Sequence, residues 1–418
     1  MSRRSRERRT ANRRRAIALA AAVAVLAGCG TTSGSTDATG TAAPETAALP
    51  QLSADAVAGR GTLISSEPVW DIDPSITAAG ASAYRVVYRS TSGVDGSATE
   101  TSAMVLVPDA PAADGSRPVV SFAHGTTGVT PNCGPSLYPD LLGYAGAVAP
   151  LLTLNYVIVM PDYQGLGFTA PGDSAQHPYL EPITSGYNVI DAVRAARAVA
   201  PSAGERWAAY GVSQGGQAAW SAGELADSYG EGLDYVGAVA LAPPAAMSEI
   251  LPLAQAGFLS REQMVLWRMI IEGMHVAQPQ IDPDDYLGGV LAEDRDAWFA
   301  CTPGPDLTRR GELVNRVNPA DARPVDDAAA EALREWLARI SLPQRPAGGP
   351  MLVINGGQDR TVRPQWVQRA IDEACALGDT VAHIVRPDQG HADLDPGGET
   401  ATWLEARFRG DPAPNTCQ

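Results

Sequence analysis

Short apolar runs alternate with helical spacing along most of this chain from about residue 83. Tyr84–Tyr88 and Met104–Val107 read as an opening antiparallel pair of strands. Val119–Ala123, Tyr156–Met160, Trp207–Tyr210 and Val236–Leu241 are short, strongly apolar segments, the size of buried strands. Between them, Leu141–Leu152, Val189–Val199 and a Gly- and Ala-rich stretch from Gly215 are helical. In the second of these, Val189, Val193 and Ala196 share one face, with Arg194 and Arg197 turned away from it. Strand signals return at Met351–Asn355 and Val381–Val385, and a last helix covers Thr400–Phe408. Strands and helices in this alternation predict the α/β class with a mostly parallel sheet.

The rhythm breaks between residues 245 and 345. Met264, Trp267, Met269 and Ile271 fall in one apolar helix, and Leu333, Trp336, Leu337 and Ile340 in another, with no strand between them. A helical cap inserted late into the sheet accounts for this. The expected division is 61–244 and 346–418 for the α/β core and 245–345 for the cap. There is no internal repeat.

The chain opens differently. Eight arginines and one glutamate precede residue 29, followed by a short apolar run, Ala16–Ala27. That run is too short to span a bilayer comfortably, so residues 1–28 read as a cleaved signal peptide. Leu26-Ala27-Gly28-Cys29 resembles the lipobox of bacterial lipoproteins, which implies acylation at Cys29 and an exported, membrane-anchored protein. The Thr-, Ser-, Ala- and Gly-rich stretch that follows reads as a flexible tether, placed at 29–60.

Composition narrows the partners. The net charge is -16 with no lysine anywhere, and loss of the arginine-rich leader leaves it near -23. Such an acidic surface repels polyanions and excludes nucleic-acid binding. Four cysteines remain after Cys29: Cys133, Cys301, Cys375 and Cys417. An even count in an exported chain predicts two disulfides, with three connectivities open. No C-x-x-C, H-E-x-x-H, phosphate loop or dinucleotide fingerprint is present, so no metal or cofactor is expected. Asp282, Asp284 and Asp285 read as a solvated helix start.

The candidate chemistry lies in Gly211-Val212-Ser213-Gln214-Gly215, a G-x-S-x-G motif between a strand and a small-residue helix. A sharp strand-to-helix turn there would hold the Ser213 hydroxyl in the open as a nucleophile. A serine hydroxyl needs a base, and the base needs an orienting carboxylate. His391, after the last strand, and Asp359, just beyond Met351–Asn355, complete the order Ser, Asp, His. Asp388, Asp393 and Asp395 are weaker candidates for the acid, being loop carboxylates. His124, His177, His275 and His383 are assigned structural or packing roles, and Asp162 and Tyr163 the fixing of a loop. His124-Gly125-Thr126-Thr127-Gly128 follows a strand and is placed to supply an oxyanion donor from Thr126 or Thr127, opposite the N–H of Gln214.

These motifs resemble those of the secretory lipase family, α/β-hydrolases that include the fungal lipase-A type and many actinobacterial members. The matching stretches are His124-Gly125-Thr126, Pro161-Asp162-Tyr163-Gln164-Gly165-Leu166-Gly167, Gly211–Gly215 and the Asp359/His391 pair, spanning roughly 80 to 395. The resemblance implies an α/β-hydrolase fold and a triad of Ser213, Asp359 and His391, while the apolar cap helices point to a hydrophobic acyl pocket for lipid-like or medium-to-long acyl esters. It also implies Cys133–Cys301 and Cys375–Cys417 as the disulfides. The fungal type carries an aspartate near the position of Thr127, a departure here. The rival readings are a peptidase or polyester depolymerase on the same triad, and a lipid-binding lipoprotein on an inactive scaffold.

Overall fold

Every apolar run read as a strand enters one nine-stranded sheet in the computed structural model, which describes residues 48–112, 115–168 and 176–417. The stretch expected to be a signal peptide, Cys29 and the expected tether up to residue 47 lie outside the described residues. In chain order the elements are α1 (Ala54–Gly59), β1 (Leu63–Val69), α2 (Pro74–Ala78), β2 (Ala81–Thr91), β3 (Ala98–Pro108), β4 (Arg117–Ala123), α3 (Ala145–Thr153) and β5 (Val157–Pro161). There follow α4 (Pro182–Val199), β6 (Ala203–Val212), α5 (Gln214–Tyr229) and β7 (Asp234–Leu241). Six helices come next: α6 (Ile250–Ala256), α7 (Arg261–Ala277), α8 (Arg295–Trp298), α9 (Leu307–Arg316) and α10 (Asp327–Ile340) before β8 (Met351–Gly356), then α11 (Pro364–Leu377) before β9 (Val381–Arg386). The last helix is α12 (Glu399–Arg409).

The strands lie in the order β1-β2-β3-β5-β4-β6-β7-β8-β9. The first three form an antiparallel edge that joins β5, and from β5 to β9 every pairing is parallel. Parallel strands need both faces covered. Along β4, Val119 and Ala123 enter the core shared with α4 and α5, while Val120 and Phe122 enter the core shared with α3 and α12. Trp207 and Tyr210 of β6 divide in the same way. This two-sided burial is why the strands read as unbroken apolar runs.

Two differences from the sequence expectation stand out. β1 precedes the expected opening pair, and its five central residues are exposed, so it carries no hydrophobic pattern. Residues 54–59, assigned to the tether, form α1: Ser53 Oγ accepts from Ala56 N–H, and Ser53 N–H donates to Gly96 O at 2.9 Å. The packed chain therefore begins before residue 60.

The strand-free stretch between β7 and β8 holds helices and 3-10 turns among the described residues. Met264, Trp267, Met269 and Ile271 of α7 and Leu333, Trp336, Leu337 and Ile340 of α10 are all buried in the same core as α4 and α5. At roughly 2 kcal/mol for each large apolar side chain removed from water, this seam holds the insertion to the sheet domain. Two disulfides close the chain, Cys133–Cys301 and Cys375–Cys417. The first ties the segment after β4 to the insertion, and the second pins the C-terminal segment to α11. Asp282 accepts from Asp284 N–H as a helix cap, with no metal-holding cluster among the described residues.

Candidate active site

Four loops meet at the carboxyl ends of neighbouring parallel strands, those leaving β4, β6, β8 and β9. Crevices of this kind gather functional groups in open α/β sheets. The loop after β6 turns directly into α5, with Ser213 at φ 55°, ψ -122°, a conformation that L residues rarely adopt. Two glycines make the turn feasible. A Cβ on Gly211 would sit 1.9 Å from Gly215 O, and one on Gly215 would sit 1.9 Å from Ala123 O. Ser213 N–H donates to Leu241 O at 2.8 Å, which fixes the turn to β7.

The structure brings Ser213, His391 and Asp359 together. His391 Nε2 lies 2.9 Å from Ser213 Oγ, and its Nδ1 lies 2.7 Å from Asp359 Oδ2. An ionised carboxylate only accepts, so Nδ1–H is the donor to Asp359 and Nε2 accepts from the serine hydroxyl. The Asp359 side chain is fully buried, and that of His391 is partly exposed. Asp359 Oδ1 takes two backbone donors, Thr361 N–H at 2.8 Å and Val362 N–H at 2.9 Å. The loops carrying acid and imidazole are stitched together, since Gly357 N–H donates to Arg386 O and Gln358 N–H to Gln389 O. The other candidate acids do different work: Asp393 accepts from Gly390 N–H and Asp395 from Gly397 N–H.

Gln214 is the first residue of α5, so its backbone N–H has no partner within the helix and lies beside Ser213. Its side chain turns away: Gln214 Nε2 is 2.7 Å from His177 Nε2. His177 Nδ1 meets Gln164 O at 2.9 Å, which makes Nδ1 the protonated nitrogen and Nε2 the acceptor. Burial pushes the His177 pKa down to about 4, so the ring stays neutral at ordinary pH. The two threonines differ. Thr126 is half-buried with its hydroxyl 2.6 Å from the Tyr179 hydroxyl, whereas Thr127 is wholly buried and its Oγ1 finds no partner among the described residues. Thr127 O accepts from Thr302 N–H at 2.7 Å, beside the Cys133–Cys301 bridge.

The remaining histidines and the Pro161–Gly167 stretch are structural. His124 is buried and meets Gly125 O, His383 meets Asn355 Oδ1, and His275 meets Ile281 O. Asp162 accepts from the hydroxyls of Ser102 and Ser136 and from Ser136 N–H, and Tyr163 O–H donates to His124 O. Tyr179, and the link of His177 to Gln214, carry no signal in the sequence. Both depend on a fold contact between segments 35 to 55 residues apart.

The sheet order, the turn after β6 and the position of the helical insertion define an α/β-hydrolase fold. Comparison with known proteins agrees. Residues 145–266 match the family described as secretory lipase. Lipase A of Candida antarctica in its closed state superposes with a TM-score of 0.68 at 18% identity, over 87% of this chain and 86% of that one. A protein of Legionella pneumophila described as a putative hydrolase gives 0.69 at 17%, over 84% and 100%. The rice cell wall degrading esterase LipA of Xanthomonas oryzae gives 0.63 at 21%, over 84% and 95%. No curated protein matches the sequence. The resemblance to the secretory lipases read from the motifs is thus met by the family match and by the fold.

Proposed function

We propose that this chain is an exported serine hydrolase of carboxylic esters. The observation that carries the reading is the relay from Asp359 through His391 to Ser213, at 2.7 and 2.9 Å, on a strained turn that holds the hydroxyl in the crevice. In this reading Ser213 Oγ attacks the ester carbonyl while His391 Nε2 takes its proton. Asp359 holds the tautomer and stabilises the imidazolium that forms. Gln214 N–H and the Thr126/Thr127 loop hold the tetrahedral oxyanion. His391 then gives its proton to the departing alcohol, and water releases the acyl group by the same steps.

The likeness to secretory lipases favours medium-to-long acyl chains. The disulfides favour an exported protein, and the lipobox-like Cys29 a lipid anchor. Ser213→Ala is expected to abolish hydrolysis of p-nitrophenyl esters and labelling by a fluorophosphonate while leaving the circular dichroism spectrum intact. Activity retained in that folded variant would remove the reading. A peptidase would instead show faster cleavage of peptide amides than of the matching esters.

A further inference from the structure

The helical insertion grips the loop that carries Asp359. Helix α7 starts with a capping box: Ser260 Oγ accepts from Gln263 N–H at 3.1 Å, and Gln263 Oε1 accepts from Ser260 N–H at 3.0 Å. Both side chains have a second bond that helix capping does not require. Ser260 Oγ donates to Arg360 O at 3.2 Å, and Gln263 Nε2 donates to Thr361 O at 3.2 Å. Those two carbonyls belong to consecutive peptide units. The N–H of the first unit is Thr361 N and that of the second is Val362 N, the two groups that hold Asp359 Oδ1.

A trans peptide is planar, with its C=O and N–H directed oppositely. Each unit therefore works as a rigid lever, with the insertion on one end and the carboxylate on the other. An open cavity of about 530 Å³ lies at this junction, bounded by Gly257, Phe258 and Ser260 of the insertion and by Gln358, Arg360 and Arg363 of the loop. Gln263 is a fully buried amide whose oxygen and nitrogen are both engaged in this junction.

We infer that Gln263 is a positioning residue for Asp359, and that the seating of α7 sets the aim of the carboxylate at His391. The inference rests on the proposed role of Asp359 as the orienting acid. A shift of the insertion would move both peptide units and rotate the carboxylate away from Nδ1, without any contact between the insertion and the reacting atoms. Misplacement of about 1 Å in such a supporting group costs on the order of a hundredfold in rate.

Gln263→Glu tests this, because glutamate keeps the oxygen that accepts from Ser260 N–H and loses the N–H that donates to Thr361 O. Gln263→Met, of similar length and uncharged, removes both bonds. Rates are measured on a p-nitrophenyl ester per site titrated with a fluorophosphonate, so unfolded molecules are not counted. For both variants kcat is expected to fall on the order of ten- to a hundredfold with KM unchanged. The downfield proton resonance of His391 Nδ1–H is expected to move or broaden. Wild-type kcat per titrated site in both variants would overturn the inference, and so would a fall in kcat with that resonance unchanged. Either result alongside an inactive Ser213→Ala leaves the ester-hydrolase reading standing, whereas an active Ser213→Ala removes both.

Discussion

Thr126 and Thr127 carry the same side chain into opposite surroundings, and in the proposed mechanism that difference bears on which hydroxyl could serve the oxyanion. Either hydroxyl of the Thr126–Tyr179 pair can donate to the other, and when Tyr179 does, the threonine proton is left for a ligand in the crevice. Thr127 Oγ1 is buried with no hydrogen-bond partner among the described residues, so its hydroxyl carries a desolvation cost. Thr126→Val is expected to lower kcat by roughly tenfold to a hundredfold, the lower end of the effect of losing an oxyanion donor. Thr127→Val should keep kcat and match or exceed the wild-type melting temperature. Parallel kinetics and calorimetry on the two variants check both halves. His177 supplies a pH signature at the same scale. Its folded pKa of about 4 lies below the unfolded value of 6.5, so the unfolded chain binds the extra proton between those values. Stability is therefore lost as pH falls from 6.5 toward 4, by roughly 3 kcal/mol over the full window. His177→Asn can still donate to Gln164 O and accept from Gln214 while not titrating. Urea midpoints for that variant should fall less steeply with acidification than those of the wild type.

Among the elements, the turn after β6 carries the tightest steric constraint. A methyl group on Gly215 would strike main-chain atoms of β4, which cannot give way without parting two strands. Gly215→Ala is expected to cost about 3 kcal/mol by overpacking. In the same helix, a methyl group on Gly223 would clash with the Tyr235 hydroxyl at 2.6 Å, the end of a side chain and not main chain, and otherwise make ordinary contacts. There the helix preference for alanine, about 1 kcal/mol, should offset the strain. Urea unfolding of the pair compares the two sites directly. This turn was legible in sequence because glycine spacing, the buried strand before it and the small residues after it all point one way. The parallel strands were legible for the same reason, being apolar on both faces. β1 was hidden because water covers its five central residues, and only Leu63 and Val69 at its ends pack against the core. The first two turns of α4 were hidden for the opposite cause. Thr184, Ser185 and Asn188 are polar yet buried: Thr184 and Ser185 bond to Glu181 at the helix start, and Thr184 and Asn188 also bond to Gly93 and Ser90, 91 and 98 residues away.

For the whole molecule, the two disulfides differ in what they enclose. Cys133–Cys301 spans 168 residues and joins the loop of Thr126 and Thr127 to the helical insertion, with Thr302 N–H on Thr127 O beside it. Cys375–Cys417 spans 42 residues and holds the C-terminal segment along β9, where Thr416 N–H donates to Val381 O. Closing a loop removes entropy from the unfolded chain in proportion to the logarithm of its length. That gives about 5 kcal/mol for the longer loop and about 4 kcal/mol for the shorter. Thermodynamically the two bridges are nearly equal, but their places in the fold are not. Replacing Cys133 and Cys301 by alanine releases one attachment between the insertion and the oxyanion loop. That variant is expected to lose kcat at temperatures well below its melting point. The Cys375/Cys417 variant, with a similar drop in melting temperature, should keep wild-type kcat until it unfolds, because its bridge braces only the outer edge of the sheet. Calorimetry paired with ester hydrolysis at a temperature where both variants are folded separates the two. Equal losses of kcat in both would mean that the bridge near the site stabilises the fold without holding the oxyanion loop in place.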